Sequence, residues 1–244
     1  MPLLILSDIH ANLEALEAVL ADAEGRYSKI LCLGDVVGYG ADPNPVVEWT
    51  RAHAEVVVRG NHDRACVGLD PIEGYNVAAR KSAEWTRGVL TPESVEYLER
   101  LPRGPIPYAT EPGSCDLVHG SPADEDEYLL NLSDVIALRP LLETRVTFFG
   151  HTHVQGGFLV TRTSVRRIQI EGTIEIEPDY FFLLNPGSVG QPRDGDPRAA
   201  YALYSPEDRS VEYRRVTYDI DRAATKILDA GLPDSLARRL YEGV

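Results

Sequence analysis

Cysteine is scarce in this 244-residue chain: Cys32, Cys66 and Cys115 stand far apart, and no C-x-x-C pair occurs. That excludes a disulfide framework and a thiolate metal site, and leaves the three as small core or near-surface residues. Long apolar runs are missing too. The opening "MPLLILSD" is apolar for only a few residues, has no basic start and soon meets Asp8. It reads as neither signal peptide nor membrane span, so a cytoplasmic location is expected. Positive charge is in deficit, with 24 bases against 38 acids and a formal net charge of -14. A field of that sign repels long nucleic acids and anionic membranes, and no Lys/Arg-rich stripe offsets it. What remains, 43% apolar and 25% charged, is the composition of a globular chain long enough for one large α/β domain.

Short apolar runs alternate with helical patterns. "LLIL" (3–6) leads into a helix over 12–23 with Asn12 as its N-cap, "KILCL" (29–33) into a helix over 44–53, and "AEVVV" (54–58) follows. This β-α-β-α-β order predicts a mainly parallel sheet with helices packed on it. Two further helices are expected within 75–101, the second with Thr91 as N-cap and Pro92 in first position. A strand "DLV", an acidic loop over 121–127, a helix over 133–143 and the strand "RVTFF" come next. From 157 to 218, stretches such as "VRRIQI", "TIEIE" and "AAYALY" read as an antiparallel meander, closed by an amphipathic helix. No repeat or linker divides the chain. A single domain over 1–244 is expected, with a helical, cap-like insertion at about 64–115 and a C-terminal helix at about 219–230.

Polar groups capable of binding a metal follow five of the apolar runs: Asp8 and His10, Asp35, Asn61 with His62 and Asp63, His119, then His151 and His153. A sixth run, "FFLL", ends in Asn185 and Ser188. In open α/β sheets the carboxyl ends of parallel strands gather along one edge, where ligands bind. Residues two apart in extended chain point to the same side, so Asp8 with His10, and His151 with His153, can serve one locus. Five of the six histidines sit at these strand ends. Oxygen and imidazole donors without thiolate suit Mn, Fe, Zn or Co. Seven candidates (Asp8, His10, Asp35, Asn61, His119, His151, His153) are too many for one tetrahedral ion and about right for two divalent metal ions sharing a carboxylate. Arg59, Asn185, Ser188 and Arg193 are candidate substrate contacts, though Asn185, Ser188 and Arg193 equally suit a structural turn and Arg59 an acidic neighbour.

The ordered set D-x-H, G-D, G-N-H-D, a lone H and G-H-x-H, spanning residues 8 to 153, resembles the calcineurin-like metallophosphoesterase superfamily. Together with "GDVVGYG" and "NPGSVGQPRDGDPRAAYAL", it is similar to the small single-domain bacterial phosphoesterases, the diadenosine-tetraphosphatase-like group included. The resemblance implies a four-layer α/β (α+β) sandwich: two mixed β-sheets flanked by helices, with a dinuclear metal site at the strand C-terminal ends. It implies that Asp8, His10 and His153 hold one ion, that Asn61, His119 and His151 hold the other, and that Asp35 bridges them. His62 becomes the general acid, oriented by Asp63. The expected activity is hydrolysis of a phosphodiester, phosphomonoester or phosphoanhydride, by in-line attack of a water held between the ions as hydroxide. The expected substrate is small, a nucleotide or dinucleoside polyphosphate among the candidates. "GDVVGYG" lacks the Arg of the protein phosphatases' G-D-x-x-D-R-G, which argues against that activity, and Ala11 replaces a frequent Gly. The rival reading is a non-catalytic, metal-binding interaction scaffold of the same fold. Specificity is expected in residues 64–130, where the "ADEDEY" loop could roof the cleft.

Overall fold

The computed structural model describes residues 1–168, 170 and 172–244; Gln169 of the "VRRIQI" stretch lies outside them. The strand β1 (Leu3–Leu6) shows how the layers arise. Leu3 and Ile5 join a cluster with Leu31, Phe148 and Tyr204, whereas Leu4 and Leu6 join another with Leu16, Val19 and Val46. A strand apolar on both faces needs a layer on each side. Each fully buried leucine stabilises that arrangement by roughly 1.5–3 kcal/mol.

The chain continues through α1 (Leu13–Ala23), β2 (Lys29–Cys32), α2 (Pro43–His53) and β3 (Val56–Val57), the expected β-α-β-α-β unit. Asn12 caps α1 by accepting the Ala15 N–H at 3.1 Å. Then come α3 (Asn61–Val67), α4 (Val77–Val89) and α5 (Pro92–Glu99), the last capped by Thr91 as expected. The strands β4 (Ile106–Ala109) and β5 (Ser114–Leu117) precede α6 (Leu132–Leu138), β6 (Val146–Phe148), β7 (Gly156–Val160) and β8 (Val165–Ile168). The chain ends with β9 (Thr173–Glu175), β10 (Phe181–Asn185), β11 (Ala199–Ser205), β12 (Ser210–Val216), α7 (Ile220–Asp229) and α8 (Asp234–Glu242).

Two mixed six-stranded sheets result, β3-β2-β1-β11-β12-β9 and β4-β5-β6-β10-β7-β8. In each, three adjacent strands run parallel: β1 to β3 in the first, and β5, β6 and β10 in the second. The sheets pack face to face over Ile5, Leu31, Leu117, Phe148, Leu184 and Tyr204. Helices α1 to α5 cover the first sheet, and α6 covers the second through Val135 and Leu138 against Phe158 and Leu183. The four-layer sandwich is therefore present.

Three readings of the sequence need correction. The stretch 157–218 is no single meander: β7, β8 and β10 belong to one sheet, and β9, β11 and β12 to the other. Alternation shows that a strand has a core face but not which sheet supplies its neighbours. The stretch 64–115 is helical only as far as α5, after which β4 forms an edge strand of the second sheet. The terminal helix is followed by another, α8, and Ala224 and Ile227 pack against Leu236 and Leu240. No helix among the described residues is long and apolar enough to cross a membrane. All three cysteines are buried and free.

Candidate metal centre

The parallel strands of both sheets deliver their carboxyl ends to one edge. β1, β2 and β3 bring Asp8, His10, Asp35 and Asn61, and β5 and β6 bring His119, His151 and His153. Asp8, His10, Asp35 and His153 offer ligand atoms within 4.8 Å of one another, as do Asp35, His119 and His151. Asp35 belongs to both groups. Asn61 joins the second, its Oδ1 lying 3.2 Å from His119 Nε2.

The backbone is bent to achieve this. Asp8, His10, Asp35, His151 and His153 all have φ between +50° and +64°, the left-handed region. That conformation costs non-glycine residues about 1–3 kcal/mol each and persists where surrounding contacts enforce it. Two glycines make room for the crowding. A Cβ on Gly60 would collide with the Asp35 carboxylate, and one on Gly150 with the Ser7 hydroxyl. Loop 185–191 ties the two sheets together here. Asn185 donates through Nδ2 to Gly150 O at 2.9 Å and to Thr152 Oγ1 at 3.0 Å, and Ser188 Oγ donates to Asp8 O at 2.8 Å. Both residues are fully buried, and these bonds brace the site.

The imidazoles are aimed by their far nitrogens. A backbone carbonyl can only accept, so His10 Nδ1 donates to Val37 O at 3.1 Å, His119 Nδ1 to Leu33 O at 2.8 Å and His153 Nδ1 to Gln191 O at 2.6 Å. His151 is tied the other way, its Nε2 donating to Asp126 O at 3.1 Å. His10, His151 and His153, neutral, each keep one unprotonated nitrogen for the cluster, and His119 would offer its own on giving up the proton that the carboxylates hold on it, as histidine ligands of metals do.

Electrostatics agree with a cation at this place. Burial pushes the His10, His151 and His153 rings below their ordinary range, His151 to about 3, which keeps them neutral. For Asp8 and Asp35 burial acts upward, yet the imidazoles around them, His153 and His119 foremost, hold both carboxyls well below the usual range. His119 is also opposed by burial but is pushed up to about 10 by Asp35 and Asp8. Two buried carboxylates therefore demand positive charge, and inward imidazole lone pairs beside them suit a divalent cation. The donor set fits the metal that the sequence implied.

His62 and Asp63 differ from expectation in their relation. Asp63 makes no hydrogen bond to the His62 ring among the described residues. Its oxygens accept the backbone N–H groups of Val36 at 2.9 Å, Val37 at 3.2 Å and Gly60 at 2.9 Å. It positions the loop that carries Asp35, while burial and Asp35 push its carboxyl up to about 7. The His62 ring lines the cleft, packs at 5.0 Å from His10 and leaves Nδ1 without a partner among the described residues. Burial, aided by Arg193 and outweighing Asp35, lowers it to about 4, so the uncharged ring is the resting form.

The two arginines expected at substrate differ in their surroundings. Arg59 is taken by Glu125 through two 2.8 Å bonds, an ion pair that closes the acidic loop onto the first sheet. Arg193 stays at the site: one guanidinium nitrogen lies 3.2 Å from Tyr39 Oη, and Nε has no partner among the described residues. Beside the cluster opens a cavity of about 620 Å³ lined by Asn61, His62, Tyr75, Tyr128 and His151. Tyr39, Tyr75, Tyr128, Arg64 and Asp126 were not singled out from the sequence, although the "ADEDEY" loop was expected to roof the cleft. A larger cavity of about 900 Å³, between Arg139 and Phe181, contains none of the cluster residues.

Two packed mixed sheets meeting in a His/Asp cluster at one edge form the calcineurin-like sandwich. The model of the calcineurin-like phosphoesterase superfamily domain matches residues 1–209, and the chain belongs to that superfamily. A metallophosphoesterase from Sphaerobacter thermophilus is 40% identical, with a TM-score of 0.86 over 100% of this chain and 99% of that one. The hypothetical protein PH1004 from Pyrococcus horikoshii OT3 shares the fold at 23% identity, with a TM-score of 0.81 over 100% and 98% of the two chains. The uncharacterized protein MJ0912 of Methanocaldococcus jannaschii is 38% identical over 244 residues, 98% of this chain and 97% of that one.

Proposed function

We propose that the chain hydrolyses a small phosphate ester or anhydride with the help of two divalent cations held by Asp8, His10, Asp35, Asn61, His119, His151 and His153. The observation that carries this reading is the clustering of these ligand atoms in two groups that share Asp35. Divalent cations there would lower the pKa of water and offset charge on the phosphoryl oxygens. The chain's own residues do the rest. Arg193 neutralises a phosphoryl oxygen from the side of Tyr39. His62, lining the cleft beside the cluster, holds a proton for the leaving oxygen, and the charge of an incoming phosphoryl group favours its protonation against burial and Arg193. Burial of the cluster excludes bulk water and strengthens each of these interactions.

The test is metal analysis of the purified chain, followed by turnover of bis-nitrophenyl phosphate with Mn²⁺. Roughly two ions per chain and metal-dependent release of nitrophenol are expected. A chain that binds cations yet turns over neither this diester nor nucleotides and model monoesters would favour the scaffold reading. A chain that binds none would overturn the metal assignment.

A further inference from the structure

The cleft beside the cation groups has a wall that phosphorus chemistry leaves unused. Tyr128 lies over His151, ring centroids 3.8 Å apart and tilted by 31°, with 47% of the residue still exposed. Tyr39 stands 4.3 Å from the His62 ring, and Tyr75 meets that ring edge-on at 5.5 Å. All three tyrosines line the same cavity. Asn76 and Pro71 line it as well.

Charge in that cavity runs against a string of phosphates. Its carboxylates are Asp70 and Asp126, and Arg64 in its lining is already engaged: it lies 2.5 Å from Asp70, 2.8 Å from Asp126 and 3.1 Å from Glu125. Glu125 is offset by Arg59, so Asp70 and Asp126 around the single Arg64 guanidinium leave the wall one charge negative. A polyphosphate would carry several charges into this wall, whereas an uncharged planar ring lying on the tyrosines meets no repulsion and gains stacking. Arg193, on the cluster side, supplies one cation, enough for one phosphoryl group.

Resting on the phosphoesterase reading above, we propose that this cleft selects an ester with a single phosphoryl group and an aromatic ring, an aryl or nucleoside phosphate, seating the ring on Tyr128 and Tyr75 and discriminating against polyphosphate chains. Tyr128 is the specificity-determining residue in this arrangement. It touches the ring of the ligand and not the reacting atoms.

Non-hydrolysable phosphonates separate binding from turnover. Calorimetric titration of the Mn²⁺-loaded chain should give phenylphosphonate at least about tenfold tighter than methylphosphonate, the size of one stacking contact. The ratio should fall to within about twofold of one in Tyr128→Ala and survive in Tyr128→Phe. Equal affinities in the unsubstituted chain, or a ratio unchanged by Tyr128→Ala in a variant that still melts cooperatively, would overturn the ring seat and leave the phosphoesterase reading standing. Should neither phosphonate bind, the phosphoesterase reading falls, and titration with adenosine decides the seat: saturable binding lost in Tyr128→Ala upholds it, and no binding ends it. The charge argument has its own arm. The kcat/KM for nitrophenyl thymidine 5′-monophosphate should exceed that for diadenosine tetraphosphate by at least about tenfold, and a reversed order would overturn the discrimination against polyphosphate.

Discussion

His10 and His153 face each other Nε2 to Nε2 at 3.0 Å, each with its Nδ1 proton already given to a backbone carbonyl. Two lone pairs at that distance repel, and a shared cation turns the repulsion into two bonds. Cation binding should therefore stabilise the folded chain. At a hundredfold excess over Kd the linkage is about 2.7 kcal/mol, on the order of 5–10 °C in Tm for a chain of this size. Calorimetry with and without EDTA measures it directly. His153→Ala should lower Mn²⁺ content toward one ion per chain and reduce the EDTA effect, whereas an unchanged Tm on chelation would refute the cation site.

Asp63 tests the scaffold of the site separately from its chemistry. It is fully buried and accepts three backbone N–H groups, which Asp63→Ala would leave without an acceptor. Each buried unsatisfied donor costs about 1–3 kcal/mol, so a loss of roughly 3 kcal/mol or more is expected in urea unfolding, with m unchanged. A loss below about 0.5 kcal/mol would show that the Asp35 loop holds itself.

Arg193 should matter for substrate and not for metal. Removing a charge-assisted hydrogen bond costs roughly 1.5–3 kcal/mol, so Arg193→Ala should lower kcat/KM about 10- to 100-fold while metal content stays as it was. Arg193→Lys should recover part of the loss. If metal content drops in parallel with activity, the residue braces the loop of His153, whose carbonyl accepts the Arg193 N–H at 3.1 Å.

Glu125 gives a dependence on pH. The hydrogen bonds from Arg59 hold its carboxyl below the ordinary value of 4.5, against burial and with help from Arg64. A depressed folded pKa means that the stabilising contribution is fully present above the unfolded value and is lost as pH falls through the folded one. Glu125→Gln should accordingly cost on the order of 1–3 kcal/mol at pH 7, and the gap between variant and parent should close as pH falls below the ordinary value of 4.5 and on through the depressed folded one. Urea midpoints along that fall in pH decide it; a gap that stays constant would mean that the pair contributes through packing alone.

The ligand-bearing strand ends were legible because their signal is local. An apolar run followed at once by Asp, His or Asn can be read without knowing where the strand sits, and parallel topology then brings such ends together. Asn12 and Thr91 were legible as caps for the same reason, the acceptor and its N–H being three residues apart. Arg59 was not, since Glu125 lies 66 residues away and the sequence offers a phosphate and a carboxylate as equal partners. The strands after 157 failed likewise. β10 pairs with β6 on one side and β7 on the other, and β11 with β1, pairings set by long crossovers rather than by residue pattern. Tyr128 was hidden because a tyrosine in an acidic loop has no local signature; only the fold lays it over His151.

One sheet supplies Asp8, His10, Asp35 and Asn61, and the other supplies His119, His151 and His153. Neither sheet carries the whole ligand set, so the centre is a gauge of how the two slabs are seated on each other. Slippage of an ångström between them, too small to melt either, would part Asp35 from His119, and activity should fade in mild denaturant before the slabs themselves come apart.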